Sequence, residues 1–535
     1  MEAAVGFPMP FMQPSWRLAP GKLEYVDTHR TGVDGMADAP RYPIIYVRGY
    51  AMTESEITET TSTPYMGLEL GSTKTRQAWD GAVRKVFFES PIVRLMKAGY
   101  SDIYRDGLQL ESGPIPPQSI IIHRYYDVAD PDFGSGKAPS IEDAAKGLSD
   151  LILRVRDQVC LGGQMKPEDF RVCLVAHSMG GLVCRCFLQN SAAGSDDARK
   201  LVDKVFTFAT PHNGIEMAGM NVPGFFGLWD MNNFNRGEMR KYLAIKDKNV
   251  EVNSLDGKFD PRRFFCLVGT NSKDYGVARG ASRLLAGELS DGLVRIENAD
   301  VTGAPRAHVH RSHSGPYGIV NSEEGFQNLT RFLFGDVSVN GVLAVENLPL
   351  PPTTKLQKLL GTKVGYYFEV VVATRGALDF DLTRRTVANN SAMLRPRSEL
   401  FDDDGMLKAD ARHPHLFSTF LDLSNRPSDS REMMFTVQLA ISMITYTGED
   451  SPRDDHYVPG EYLFRDTVVI SAIPPADKAE SWQVSFVLAD SGWSSAKRAP
   501  AVGMKDEQGQ PYVAIPLNNE KGFKATLRLY GSHWA

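Results

Sequence analysis

Arg171-Val172-Cys173-Leu174-Val175-Ala176-His177-Ser178-Met179-Gly180-Gly181-Leu182-Val183-Cys184-Arg185-Cys186 is the stretch whose reading decides the fold. Its first six residues form a short apolar run with β-branched members, as a strand buried in a parallel sheet requires. From Gly180 the pattern changes to that of a helix start. A chain that leaves a strand and enters a helix within two residues forces the residue between them into a strained backbone, so the flanking residues must be small. Ala176 and Gly180 satisfy that requirement. Such a turn lifts the Ser178 hydroxyl above the sheet and aims the helix N-terminus at whatever the hydroxyl attacks.

Elements on either side extend the same theme. Pro43 to Val47, Ser119 to Ile122, Lys204 to Ala209 and Arg263 to Val268 are short apolar runs that predict further strands. Ser140-x-x-Asp143 predicts a capping box opening a helix with Leu148, Leu151, Ile152 and Val155 on one face. Asn321-x-x-Glu324 predicts the cap of a second helix, with Phe326, Leu329, Phe332 and Leu333 facing inward. Strands alternating with helices predict a doubly wound, mostly parallel α/β sheet, whose ligands bind beyond the carboxyl ends of the strands. Near Gly335 the texture changes. Segments at 365–372, 433–439, 466–470, 481–488, 512–515 and 523–529, separated by Gly, Pro and Asp, predict a mostly antiparallel, β-sandwich-like C-terminal domain. The expected organisation is an N-terminal extension over 1–40, an α/β domain over 41–336, a linker over 337–362 and a β-rich domain over 363–535.

The segment Ala176-His177-Ser178-Met179-Gly180 resembles the nucleophile elbow of the α/β-hydrolase lipases and esterases, in particular bacterial lipases whose elbow reads Ala-His-Ser-x-Gly. Alanine stands here for the first glycine of the general Gly-x-Ser-x-Gly pattern. The resemblance runs over 41–336. It implies a Ser, acid, His order along the chain, with Ser178 as nucleophile, an acid to orient the base, and a histidine on the loop before the closing helix. Ser290-Asp291-Gly292-Leu293-Val294 looks like the lipase segment that carries the acid, which favours Asp291 over Asp274 and Asp300. Among His308, His310 and His313, the last is favoured because it stands where the strand gives way to a loop. Met179 is expected to supply one oxyanion N–H and Tyr50 the other. Arg48-Gly49-Tyr50 departs from the His-Gly-x of many lipases, and the role of Arg48 is left open. Thr210-Pro211-His212-Asn213-Gly214 resembles a lipase turn and is read as structural. The apolar stretch 220–234 offers Phe225, Phe226 and Trp229 as candidates for an acyl pocket or lid.

Composition narrows the alternatives. With 42% hydrophobic and 23% charged residues in 535, the chain is of globular type and long enough for two cores. A net charge of −6 gives no reason to expect a nucleic-acid partner. Five cysteines without a Cys-x-x-Cys spacing imply neither zinc nor a disulfide framework. The histidine cluster lacks a matching carboxylate spacing, so no metal is expected, and no organic cofactor is required. Gly134-Ser135-Gly136-Lys137 lacks P-loop spacing, and Asp402-Asp403-Asp404-Gly405 lacks an EF-hand glutamate. No apolar run reaches the roughly twenty residues of a membrane span. Met1 to Trp16 lacks the basic start of a signal peptide, so the expected location is cytoplasmic, with signal-less export as the alternative.

Three functions follow as expectations. The first is hydrolysis of lipid or other acyl esters. The second is phospholipase, thioesterase or deacylase activity with the same residues, and the third a non-catalytic scaffold. The C-terminal domain is a candidate for lipid-surface or partner binding, and equally for a structural cover of the catalytic domain.

Overall fold

A computed structural model describes residues 41–534 apart from 50–64, 70–72, 78–82, 88, 104–112, 130–133, 138, 218–219, 222–230, 273–288, 316–317, 350–362, 375–380, 387–391, 403, 409–412, 424–429, 447–461, 475–481 and 490–497. The α/β region is built on seven strands: β1 (Ile44–Val47), β2 (Ser101–Asp102), β3 (Ser119–Ile122), β4 (Val172–His177), β5 (Val202–Phe208), β6 (Phe264–Gly269) and β7 (Arg306–Val309). Every described pairing among them is parallel, and the order across the sheet is β7-β6-β5-β4-β1-β3-β2. The six residues of β4 are all buried, because parallel sheets carry helices on both faces.

Helix α1 spans Pro91–Lys97, α2 Ile141–Leu161, α3 Met179–Gln189, α4 Asp196–Lys200, α5 Arg236–Tyr242 and α6 Glu323–Phe334. The Ser140 side chain accepts from the N–H of Asp143 at 3.0 Å and starts α2 as its sequence requires. For α6 the cap is one residue later than the sequence suggests. Ser322 Oγ accepts from Gly325 N–H at 2.9 Å, since its extended backbone sits where the hydroxyl can reach the first turn. Strand order reverses between β1 and β4, so the chain ends of these two strands open a crevice. The elbow serine follows β4 at that point.

The expected linker over 337–362 is corrected at its start: Val337–Asn347 is strand β8, eleven residues long. Its alternating buried Val337, Val339, Leu343 and Val345 have a sheet face to fill, which a linker would not. The further strands are β9 (Lys363–Thr374), β10 (Thr383–Arg385), β11 (Met393–Pro396), β12 (His415–Leu421), β13 (Met433–Tyr446), β14 (Tyr462–Ile473), β15 (Gln483–Leu488), β16 (Ala499–Pro500), β17 (Val502–Lys505), β18 (Pro511–Asn518) and β19 (Lys524–His533). They form two antiparallel sheets, β12-β8-β19-β18-β17 and β10-β9-β13-β14-β15-β16, with β11 also paired to β9. The α/β sheet and the antiparallel C-terminal sheets bear out the expected fold class.

Residues 39–535 form one compact unit, while Met1–Asp38 are a second unit that lies outside the described residues. An aromatic contact joins the antiparallel strands to the α/β core. Trp534, just past β19, lies 5.4 Å from the Phe332 ring and 4.8 Å from that of Phe420, and its indole N–H donates to Phe332 O at 2.7 Å. The ammonium of Lys204, on β5, stands 4.8 Å over the same indole and donates to Leu333 O at 3.0 Å. One indole therefore fills space between β5, α6 and β12.

Two predictions follow from this packing. Trp534→Ala should lower unfolding free energy by about 3–5 kcal/mol, read from urea denaturation, because the indole leaves both a cavity and an unpaired Phe332 carbonyl. The second concerns His123, whose ring N–H donates to Ala144 O at 2.9 Å. Burial pulls its pKa down from 6.5 to about 4. The unfolded chain binds that proton near pH 6.5 and the folded one does not, so stability is full above pH 6.5. It should then fall by about 3 kcal/mol for this group as pH drops toward 4. Urea midpoints across that window check the slope, and His123→Gln should flatten it.

Candidate active site

The elbow begins where β4 ends. Ser178 has φ 53° and ψ −127°, a conformation that costs energy in any residue with a Cβ. Several contacts hold it there. Its N–H donates to Phe208 O at 2.9 Å, and its carbonyl accepts from Thr210 Oγ1 at 2.8 Å. Gly180 must be glycine, because a Cβ there would collide with the carbonyl oxygens of Val47 and Arg48. That near-contact also places the backbone leaving β1 directly beside the elbow. Met179 is the first residue of α3, so its N–H has no partner inside the helix and belongs to the positive end of the dipole.

The candidate acid and base stand in the segments that follow β6 and β7. Asp291 Oδ2 lies 2.8 Å from His313 Nδ1, and His313 Nε2 lies 2.9 Å from Ser178 Oγ. A carboxylate only accepts, so Nδ1 carries the proton and Nε2 is left to accept from the serine hydroxyl. The other carboxylate oxygen, Oδ1, accepts from the N–H groups of Leu293 at 3.0 Å and Val294 at 2.8 Å. The Asp291 carbonyl accepts from His313 N–H at 2.9 Å, which ties the two loops together. Ser178, Asp291 and His313 are 5%, 1% and 3% exposed, so these bonds compete little with water.

The other sequence candidates lie elsewhere. Asp300 is paired with Arg306, and His310 is exposed. His308 is buried on β7, its N–H donating to Thr383 Oγ1 at 2.8 Å and burial pushing its pKa well below 6.5. Among the described residues no group of three or more His, Cys, Asp or Glu is arranged to hold a metal ion. Asp274, Tyr50, Phe225, Phe226 and Trp229 lie outside the described residues. His212 is structural: its Nε2 is 3.1 Å from Thr207 Oγ1, and burial pushes its pKa well below 6.5. Arg48 straps a neighbouring segment, donating from Nη1 to Met66 O at 2.5 Å while its carbonyl accepts from Tyr125 OH at 2.7 Å.

Three supporting residues, His177, Arg185 and Gly269, escaped sequence reasoning, and a fourth, Thr210, lies in the turn that the sequence analysis reads as structural. Thr210 braces the serine carbonyl as above. His177, beside the serine, has its ring Nε2 2.9 Å from His313 O. Arg185 on α3 is fully buried. It donates to Gln189 Oε1 and to the carbonyls of His212, Val252 and Ser254, at 2.6 to 3.0 Å, and so clamps two loops to the helix. Gly269 ends β6 against the acid loop, where an added Cβ would stand 2.8 Å from Asp291 Cβ and 2.7 Å from Arg311 O. The sequence signals for these residues are weak, because nearly every partner is distant along the chain.

A parallel sheet with an elbow serine at its switch point, and an Asp and a His carried in by later loops, is the layout of an α/β-hydrolase fold. Residues 130–260 match the family model described as PGAP1-like alpha/beta domain. Among solved structures, the chain is similar to the Bacillus licheniformis lipase BlEst2, at 16% identity over 56% of this chain and 95% of that one, with a TM-score of 0.31. It is also similar to phospholipase PlaB from Legionella pneumophila, at 12% identity over 74% of this chain and 86% of that one, with a TM-score of 0.29. No curated protein matches the sequence. Among the described residues no helix is long and apolar enough to cross a membrane.

Gly269→Ala should cost about 1–3 kcal/mol through overpacking against Asp291 and Arg311. Thermal unfolding of the variant measures it, and an unchanged midpoint would mean that the acid loop yields freely.

Proposed function

We propose that the protein is a serine hydrolase that cleaves carboxylic esters of lipids or other acyl groups through an acyl-enzyme. The observation that carries this reading is the unbroken chain Asp291–His313–Ser178, with bonds of 2.8 and 2.9 Å ending on a strained serine at a helix N-terminus. A serine hydroxyl is a poor nucleophile until its proton has an acceptor within reach, and this arrangement supplies one.

In the proposed reaction Ser178 Oγ adds to the ester carbonyl carbon while His313 Nε2 takes the hydroxyl proton. Asp291 stabilises the resulting imidazolium through Nδ1–H. Negative charge on the former carbonyl oxygen meets the N–H of Met179, and Tyr50 is proposed as the second donor. His313 then passes its proton to the departing alcohol oxygen, leaving the acyl group on Ser178. Water attacks that acyl carbon with His313 again as base, releases the carboxylic acid and restores the hydroxyl. Phe225, Phe226 and Trp229 are proposed to line the acyl side. We also propose that the catalytic part comprises 41–336 and that the β-rich part, 363–535, serves first as its structural cover. The Trp534 contact supports that order of roles.

A panel of p-nitrophenyl esters of graded acyl length, with a phospholipid and a thioester beside them, tests the reading. Ser178→Ala and His313→Ala should each reduce kcat by several orders of magnitude, and Asp291→Asn by about 10⁴ or somewhat less. Turnover retained in Ser178→Ala would rule out the serine mechanism. Failure of the parent to hydrolyse any substrate or to react with a fluorophosphonate would favour a scaffold.

A further inference from the structure

Next to the serine stands a histidine to which the proposed reaction gives no task. His177 is the last residue of β4 and is 8% exposed. Its ring Nε2 lies 2.9 Å from the main-chain oxygen of His313, and the two imidazole centroids are 5.1 Å apart with their planes tilted by 43°. A carbonyl oxygen only accepts, so His177 must carry its proton on Nε2. Burial, followed by the nearby His313 and Arg48, pushes its pKa well below 6.5 and keeps the ring neutral.

We infer that His177 is a positioning residue for the base: its Nε2–H holds the His313 carbonyl and thereby sets the imidazole at hydrogen-bonding distance from Ser178. This rests on the serine-hydrolase reading above.

The His313 backbone is otherwise held from the other side, by its own N–H to the Asp291 carbonyl at 2.9 Å. The peptide units flanking the base are thus pinned at two points, one from the acid loop and one from the strand bearing the nucleophile. The second pin matters because it refers the base to the elbow itself. Any drift of the 312–315 turn away from β4 lengthens the Nε2–Oγ distance, and misplacement by about 1 Å can cost 10²-fold in rate. Direct adjacency in sequence makes the reference rigid: ring and nucleophile share one peptide bond.

Side-chain geometry provides a selective test. In glutamine the amide nitrogen is as many bonds from Cα as Nε2 is in histidine, whereas in asparagine it corresponds to Nδ1. His177→Gln can restore the N–H to the His313 carbonyl, and His177→Asn cannot reach it. The experiment uses the full chain and measures fluorophosphonate labelling rate, kcat and KM on a soluble short-chain p-nitrophenyl ester, and thermal midpoints. His177→Gln should label and turn over within about threefold of the parent. His177→Asn and His177→Leu should lose about ten- to hundredfold in labelling rate and kcat, with KM changed less than about twofold. If His177→Leu does not fold, the comparison of Gln with Asn still decides.

Equal rates in Gln and Asn, whether both normal or both reduced, would overturn the inference, because ring packing or mere bulk would then account for the residue. A KM effect without a kcat effect would overturn it as well. A parent protein that neither labels nor hydrolyses the ester would instead sink the serine-hydrolase reading, and this inference with it.

Discussion

The backbone of Ser178 is the constraint on which the rest of the site depends. A residue with a Cβ does not hold φ 53° and ψ −127° unaided, and the cost of order 1–3 kcal/mol must be met by the surroundings. Here it is offset by bonds from both sides of the peptide, to Phe208 O and from Thr210 Oγ1, and by a glycine at 180 that lets α3 descend against β1. The strain has a geometric product: the hydroxyl stands clear of the sheet while the first N–H of α3 faces the same space.

The second half of the site is assembled by loops that would otherwise be free to vary. Asp291 has no latitude, since its carboxylate accepts from two backbone N–H groups as well as from the imidazole. Such a carboxylate is oriented in advance, and in the proposed reaction that preorganisation is what electrostatic stabilisation of a transition state demands. Buried Arg185 performs a comparable service beneath the elbow. A guanidinium taken from water must have its N–H groups satisfied, and the carbonyls of His212, Val252 and Ser254 satisfy them. Burial pulls its pKa down to about 10, still well above neutrality, so it acts as a permanent cationic clamp.

The β-rich region is joined to the α/β region by a shared aromatic core. Phe420 from β12 and Trp534 from beyond β19 pack with Phe265 and Phe332, which belong to β6 and α6. β6 is also the strand that ends in Gly269 and meets the acid loop, so packing at this junction bears on the site through a single strand.

The sequence by itself determined the elbow, the parallel sheet and six of the antiparallel strands beyond 363, but not β10, β11, β12, β16 or β17. Each is written in local pattern: an apolar strand, small flanking residues and a helix start lie within a dozen positions around Ser178, and alternation of period two marks the later strands. Chain order and family resemblance narrowed the acid and the base. Only the tertiary structure decided which histidine meets the serine. β7 ends at Val309 with His308 turned inside and His310 exposed, and the following turn carries His313 to Ser178 across a separation of 135 residues. The same holds for Gly269, Arg185 and Trp534, and for β8, whose apolar face acquires meaning only against its partner strands. Local sequence encodes what a segment is able to form. Contacts between segments far apart depend on how the chain is brought together, and no short window of residues contains them.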